Sequence, residues 1–224
     1  RAAASNTGND HRLGANEAPP AIISIYMGDQ LGEIVDAIVA GVPFDQLPCA
    51  EVGTLDLGVS TLPVLPKDPT DRNRTSPFAF TGNRFEFRMV ASSVSIGDAN
   101  TVMNSMMAES FNKACDALEG AENFEKAAID YIYKTMKENK NIVFNGNGYS
   151  DEWVEEAAKR GLPNVKSIVD AIPAYTDESS IEMFEKLGVM TKRELEARRE
   201  IKLEEYAGLI NIEARTMIDM AAKL

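Results

Sequence analysis

The sequence predicts an α+β chain in which an irregular, strand-bearing stretch precedes a largely helical one. Three observations carry this. Composition shifts near residue 98, from Pro, Gly and short apolar runs to long polar-apolar mixtures. Before that point "NRFEFRMV" (83–90) alternates with period two, and after it apolar residues recur at helical spacing between capping signals.

The elements follow in order. "RLGANEAPP" (12–20) is a loop, because Gly14 and the Pro19-Pro20 pair interrupt regular structure. "AIISIYM" (21–27) is β-branched and reads equally as a buried strand or the approach to a helix. "QLGEIVDAIVAG" (30–41) spaces Leu31, Ile34, Val35, Ile38 and Val39 along one helical face, with Gly41 as its stop. Repeated Pro, Gly and Asp predict a long irregular connection over 42–77. "SPFAFTGNRFEFRMVAS" predicts two short strands joined at Thr81-Gly82-Asn83.

From 98 onward helices dominate. Val102, Met106, Met107, Phe111, Ala114 and Leu118 repeat on one helix, capped by Asp98 or Asn100 and stopped by Gly120. "NFEKAAIDYIYKTMKENK" continues in the same manner. "NGNG" (145–148) is a turn signal, and Ser150 caps a helix with acids in its first turn and Gly161 at its stop. Thr191 and Glu194 form a T-x-x-E capping box opening a helix towards residue 222. The Met-rich "MNSMMAES" reads as adaptable core filler in preference to a peptide groove.

Bulk properties narrow the function. The 224 residues carry 23 basic against 35 acidic side chains, a net charge of −12, which argues against nucleic acid and anionic lipid as partners. No apolar run approaches the roughly 20 residues of a membrane span, and the opening "RAAASNTGND" lacks a secretory pattern. Cys49 and Cys115 stand far apart without a disulfide framework, so a reducing, cytoplasmic setting is expected. The chain opens on Arg in mid-flow, and a processed product or a fragment of a longer protein is expected.

Chemistry concentrates in arginine. Arg72, Arg74, Arg84 and Arg88 lie close together, whereas Arg1, Arg12 and Lys67 are the other basic residues before position 98. Guanidinium forks hold carboxylate and phosphate oxygens, so the group suits an anionic small molecule; the alternative is neutralisation of Asp68, Asp71 and Glu86 at a surface. Glu86 sits between Arg84 and Arg88 on one strand face, about 7 Å from each along the strand, as a salt-bridge partner or a ligand for a hard cation. His11 is the one histidine and reads as a loop residue. Glu17 lies in a loop of the kind that closes over a substrate. Neither G-x-G-x-x-G nor G-x-x-x-x-G-K-[ST] occurs.

"RLGANEAPP" followed by "DRNRTSPFAFTGNRFEFRMVASS" resembles the second half of the catalytic domain of glutamine synthetases, closest to the long, type III branch. "FNGNGYSDEWVEEAAKRGLPN" and "NIEARTMIDMAA" resemble that branch's C-terminal extension. The resemblance implies a curved antiparallel-sheet catalytic domain, of which residues 1–110 are the C-terminal portion, and a helical extension over 111–224. It implies ATP-dependent joining of glutamate and ammonia through γ-glutamyl phosphate, with Mg²⁺ or Mn²⁺, in a ring-shaped homo-oligomer. Matched by motif, Arg12 would hold the glutamate α-carboxylate, and Glu17 would close the entrance and help deprotonate ammonium. Arg74 would reach the transferred phosphoryl group, Glu86 a metal, Arg88 substrate and phosphate, and Arg84 the nucleotide. Two departures stand out. The Arg-to-Glu spacing of the flap is one residue shorter than in the compact branches, and "PFAF" replaces a further nucleotide-binding arginine. The remaining metal ligands, several glutamates and a histidine, are implied upstream of residue 1, and His11, abutting the flap motif, is a poor match for that ligand. The chain is therefore expected to hold half a site and to be inactive alone. Alternatives are a γ-glutamyl-amine ligase of the same superfamily and a non-catalytic anion-binding module.

Overall fold

The computed structural model describes residues 1–4, 7–15, 18–49, 53–55, 57–59, 61, 63–66 and 73–223. In chain order the regular elements are α1 (Thr7–Arg12), β1 (Ile25–Tyr26), α2 (Gly28–Ala40), β2 (Thr54–Leu55), β3 (Leu65–Pro66), β4 (Phe78–Phe80) and β5 (Phe85–Phe87). There follow α3 (Ile96–Leu118), α4 (Phe124–Glu138), α5 (Asp151–Lys159), α6 (Ile168–Ala171), α7 (Glu178–Lys186) and α8 (Lys192–Ala221). The chain is α+β and rich in helix. It divides into two compact units, one formed by 1–21, 89–119 and 164–224, the other by 22–88 and 120–163. No helix among the described residues is long and apolar enough to cross a membrane.

The first unit is helical. Its core gathers Ala2, Ala3, Ala171, Tyr175, Phe184 and Leu195, with Val102, Val165, Ile181, Met183 and Met190 packed against them. α3 starts at Ser95, whose hydroxyl accepts the Gly97 N–H at 3.1 Å. The expected caps, Asp98 and Asn100, lie inside the helix instead. Ser95 prevails because its extended backbone precedes the first turn and aims its oxygen at an unpaired N–H. Asp98 instead meets Arg198 at 3.2 Å and Lys202 at 2.8 Å, both on α8. The capping box of α8 forms as expected. Its far half exposes Ile212, Met217, Ile218 and Met220. His11 lies in α1, not in a loop, and is exposed.

The second unit holds a three-stranded sheet, β1-β4-β5. The ambiguous run before α2 is extended: Ile22, Ser24 and Tyr26 are buried at alternate positions, and Ile23 points outward. β1 pairs parallel with β4, and β4 antiparallel with β5, so this sheet is mixed where an antiparallel one is expected. The Thr81–Arg84 turn closes the hairpin, with the Thr81 N–H on the Arg84 carbonyl at 2.8 Å and Gly82 at φ 89°. Register places Phe78 opposite Phe87 and Phe80 opposite Phe85, giving an aromatic face, while Glu86 lies opposite the buried Ala79. Beyond β1, Val143 bridges Ile25 and the Phe144 N–H donates to the Ile25 carbonyl at 2.9 Å. The segment leading into "NGNG" thus extends the sheet at that edge. Phe144 stacks on Trp153 of α5, centroids 3.7 Å apart, beside the buried Ile22 and Ala157. Arg160 covers both rings and donates to Glu156 at 2.8 Å, which lowers the Glu156 carboxyl pKa below its usual range. α2 ends as expected at Gly41, in the left-handed region at φ 82°. Cys49 and Cys115 are free and exposed.

Candidate functional site

The second unit brings together two of the sequence motifs, "NRT" (73–75) and "EFR" (86–88). β5 presents Glu86 and, just beyond its end, Arg88 on the face opposite the phenylalanines, as the period of two requires. Arg88 binds Glu86 Oε2 through Nε at 3.1 Å and Nη2 at 2.9 Å. Its third arm, Nη1, donates to the backbone carbonyl of Asn73. One guanidinium therefore ties the strand to the segment preceding β4. Both side chains are largely covered, at 22% and 27% exposure, so the pair is better shielded than a surface bridge. Arg84 is different: it is 73% exposed and reaches Glu86 Oε1 only at 3.9 Å.

Asn73 shapes the turn that carries Arg74. Its Oδ1 accepts the Thr75 N–H at 2.8 Å and the Thr75 hydroxyl at 2.7 Å, an Asx turn closed twice. Arg74 is exposed and has no hydrogen-bond or ion-pair partner among the described residues. The result is a fixed backbone bearing an exposed guanidinium, with a second one, Arg84, on the neighbouring strand end. Such groups can receive phosphate or carboxylate oxygens.

Arg12 belongs to the first unit. It ends α1 and is exposed, followed by a tight reversal in which Gly14, at φ 76°, donates its N–H towards the carbonyls of Ala18 (3.3 Å) and Pro19 (3.1 Å). Buried Leu13 and Ala18 bridge across that reversal. Glu17 lies outside the described residues, as do Arg72, Asp68 and Asp71.

Sequence reasoning passed over the "NGNG" loop as a participant. Asn73 Nδ2 donates to the Gly146 carbonyl at 3.1 Å, and the Gly148 N–H donates to Thr75 Oγ1 at 2.8 Å. Two glycines alternating with asparagines could have signalled a close approach of backbone to backbone as well as a turn.

Comparisons with known proteins agree with the motifs. Residues 127–224 match the glutamine synthetase C-terminal domain. Over its full length the chain is 45% identical to a glutamine synthetase of Butyrivibrio fibrisolvens. The chain is thus similar along its whole length to glutamine synthetases. It is also 42% identical, over 99% of its length, to a glutamine synthetase of Bacteroides fragilis (strain YCH46). A type-3 glutamine synthetase of Dictyostelium discoideum is 43% identical over all of it. The chain spans 31%, 31% and 30% of these three glutamine synthetases.

Glutamine synthetase chemistry implies ATP and a divalent metal, and the residues answer the two differently. Exposed Arg74 and Arg84 suit the phosphates of ATP. A metal fits poorly with what is described: no group of three His, Cys, Asp or Glu side chains gathers among the described residues. Moreover, Oε2 of Glu86 already accepts two N–H groups of Arg88.

Proposed function

We propose that this chain supplies part of the active site of a glutamate–ammonia ligase, which joins glutamate and ammonia at the expense of ATP through γ-glutamyl phosphate. In this reading residues 1–110 are the C-terminal portion of the catalytic domain and 111–224 a helical extension, within a homo-oligomer. The observation that carries it is the union of "NRT" and "EFR" through Arg88, which leaves Arg74 exposed on a fixed turn. Transfer of a phosphoryl group requires neutralisation of its equatorial oxygens more than it requires acid–base groups. Arg74 performs that task here, Arg84 contacts the nucleotide, and Arg88 holds the turn with its fork while its remaining N–H groups face substrate or phosphate. Arg12 receives the glutamate α-carboxylate. Glu17 closes the entrance against water and accepts a proton from ammonium. Glu86, the metal ligand that the resemblance implies, is taken up by Arg88 instead, and no metal-dependent step is assigned to it.

Glutamine formation from glutamate, ammonia and ATP by the complete protein tests the reading. Arg74→Ala is expected to lower kcat by about 10²–10³-fold, the scale of losing one transition-state charge partner, while Tm stays within a few degrees. Unchanged turnover would overturn the role of Arg74. Preference for a small amine over ammonia would move the assignment to a γ-glutamyl-amine ligase, and binding of ATP without product to a non-catalytic module.

A further inference from the structure

We propose that the Asn145–Gly148 loop is the positioning device for Arg74, acting through Thr75 and Asn73; this rests on the ligase reading of Arg74. Both neighbours of Arg74 are tied to the loop. Asn73 Nδ2 reaches the Gly146 carbonyl at 3.1 Å, and the Thr75 hydroxyl accepts the Gly148 N–H at 2.8 Å while donating to Asn73 Oδ1 at 2.7 Å. The Thr75 hydroxyl is thus a relay, satisfied on both sides and replaceable only by another hydroxyl.

Gly148 is required by space. A Cβ at that position would overlap the Thr75 carbonyl oxygen and lie 3.1 Å from its carbon, so any side chain pushes the turn away. The loop itself cannot yield easily. Asn145 Oδ1 accepts the Met27 N–H at 3.0 Å at the start of α2, and a Cβ on Gly32 would overlap the Asn145 amide. Phe144, next in line, is clamped on Trp153 and hydrogen-bonded to Ile25. A continuous set of contacts therefore runs from the core of this unit to the backbone of Arg74. In-line group transfer loses about 10²-fold for a displacement near 1 Å, so the anchoring of that backbone bears on rate more than on substrate affinity.

The test uses the complete protein with Thr75→Val, Thr75→Ser, Gly148→Ala and, as a control, Gly208→Ala, where a Cβ meets nothing. Thr75→Val and Gly148→Ala are expected to lower kcat about 10–100-fold with KM for glutamate changed less than about threefold, and Thr75→Ser and Gly208→Ala to stay within about twofold of the parent. Hydrogen exchange in the backbone of residues 73–76 should rise in Thr75→Val and not in Thr75→Ser. Should Gly148→Ala fail to fold, the two Thr75 variants decide. Parent-like kcat in Thr75→Val, or equal loss in Thr75→Ser, overturns the proposal. A parent protein that makes no glutamine sinks the ligase reading instead, and the exchange measurement then decides: unchanged exchange in Thr75→Val overturns the positioning role.

Discussion

Arg88 and Arg84 flank the same carboxylate, yet their surroundings give them different weights. Arg88 is held by three donors: two on Glu86, one on the Asn73 carbonyl, with both partners of the ion pair largely shielded from water. Arg84 stands 73% exposed at 3.9 Å, where solvent screening leaves a bridge worth little. Lysine in place of Arg88 would keep the charge but could not reach Glu86 and Asn73 together, because it lacks the planar fork. Arg88→Lys is expected to cost about 1.5–3 kcal/mol, as charged hydrogen bonds do, read as a lower urea midpoint at unchanged slope. An unchanged midpoint would mean that the fork is not made in solution. The alternation of Arg84, Glu86 and Arg88 was legible in the sequence because a strand has a fixed period. That Arg88 also grips Asn73, fifteen positions away, was not legible, because that bond depends on β4 lying beside β5.

Among the elements, helix ends were the most readable, since their signals are confined to a few residues. Ser150, Gly41 and the Thr191–Glu194 box all stand as their local pattern indicates. α3 was harder: Ser95, Asp98 and Asn100 all have capping side chains, and only backbone geometry selects among them. "NGNG" was legible as a turn and not as a strut, because its partners Asn73 and Thr75 are distant in sequence. The box of α8 makes a pH-dependent prediction. Glu194 accepts the Thr191 N–H at 2.7 Å and its hydroxyl at 2.8 Å, and these bonds hold the carboxyl below the usual glutamate range. A depressed folded pKa stabilises the helix start fully above the unfolded value, and that contribution vanishes as pH falls through the folded one. Glu194→Gln preserves an acceptor for the box but cannot titrate. The start of α8 should therefore lose amide protection on acidification in the parent and lose less in Glu194→Gln, as followed by hydrogen exchange across 191–197. Equal losses would show that the box does not couple to pH.

At the scale of the molecule, the compositional break near residue 98 tracks where strands give way to helices, whereas packing gathers distant stretches into each unit. α4 and α5 follow that break, yet they complete the unit that contains the sheet. Such assembly is invisible to composition, because it depends on which apolar faces meet: Trp153 against Phe144 and Ile22, for example. The same inventory bears on catalysis by this chain alone. Phosphoryl transfer calls for neutralisation of phosphate charge, which a divalent metal would supply alongside arginines. The arginines are here, but no trio of His, Cys, Asp or Glu gathers among the described residues, and Glu86 is already engaged by Arg88. In the proposed reading the chain supplies only part of the site, and the 224 residues by themselves are expected to form no glutamine above background with glutamate, ammonia, ATP and either Mg²⁺ or Mn²⁺, under conditions in which the complete protein turns over. Product formation by the isolated chain, abolished by Arg74→Ala, would refute this and place a whole phosphoryl-transfer site within these residues.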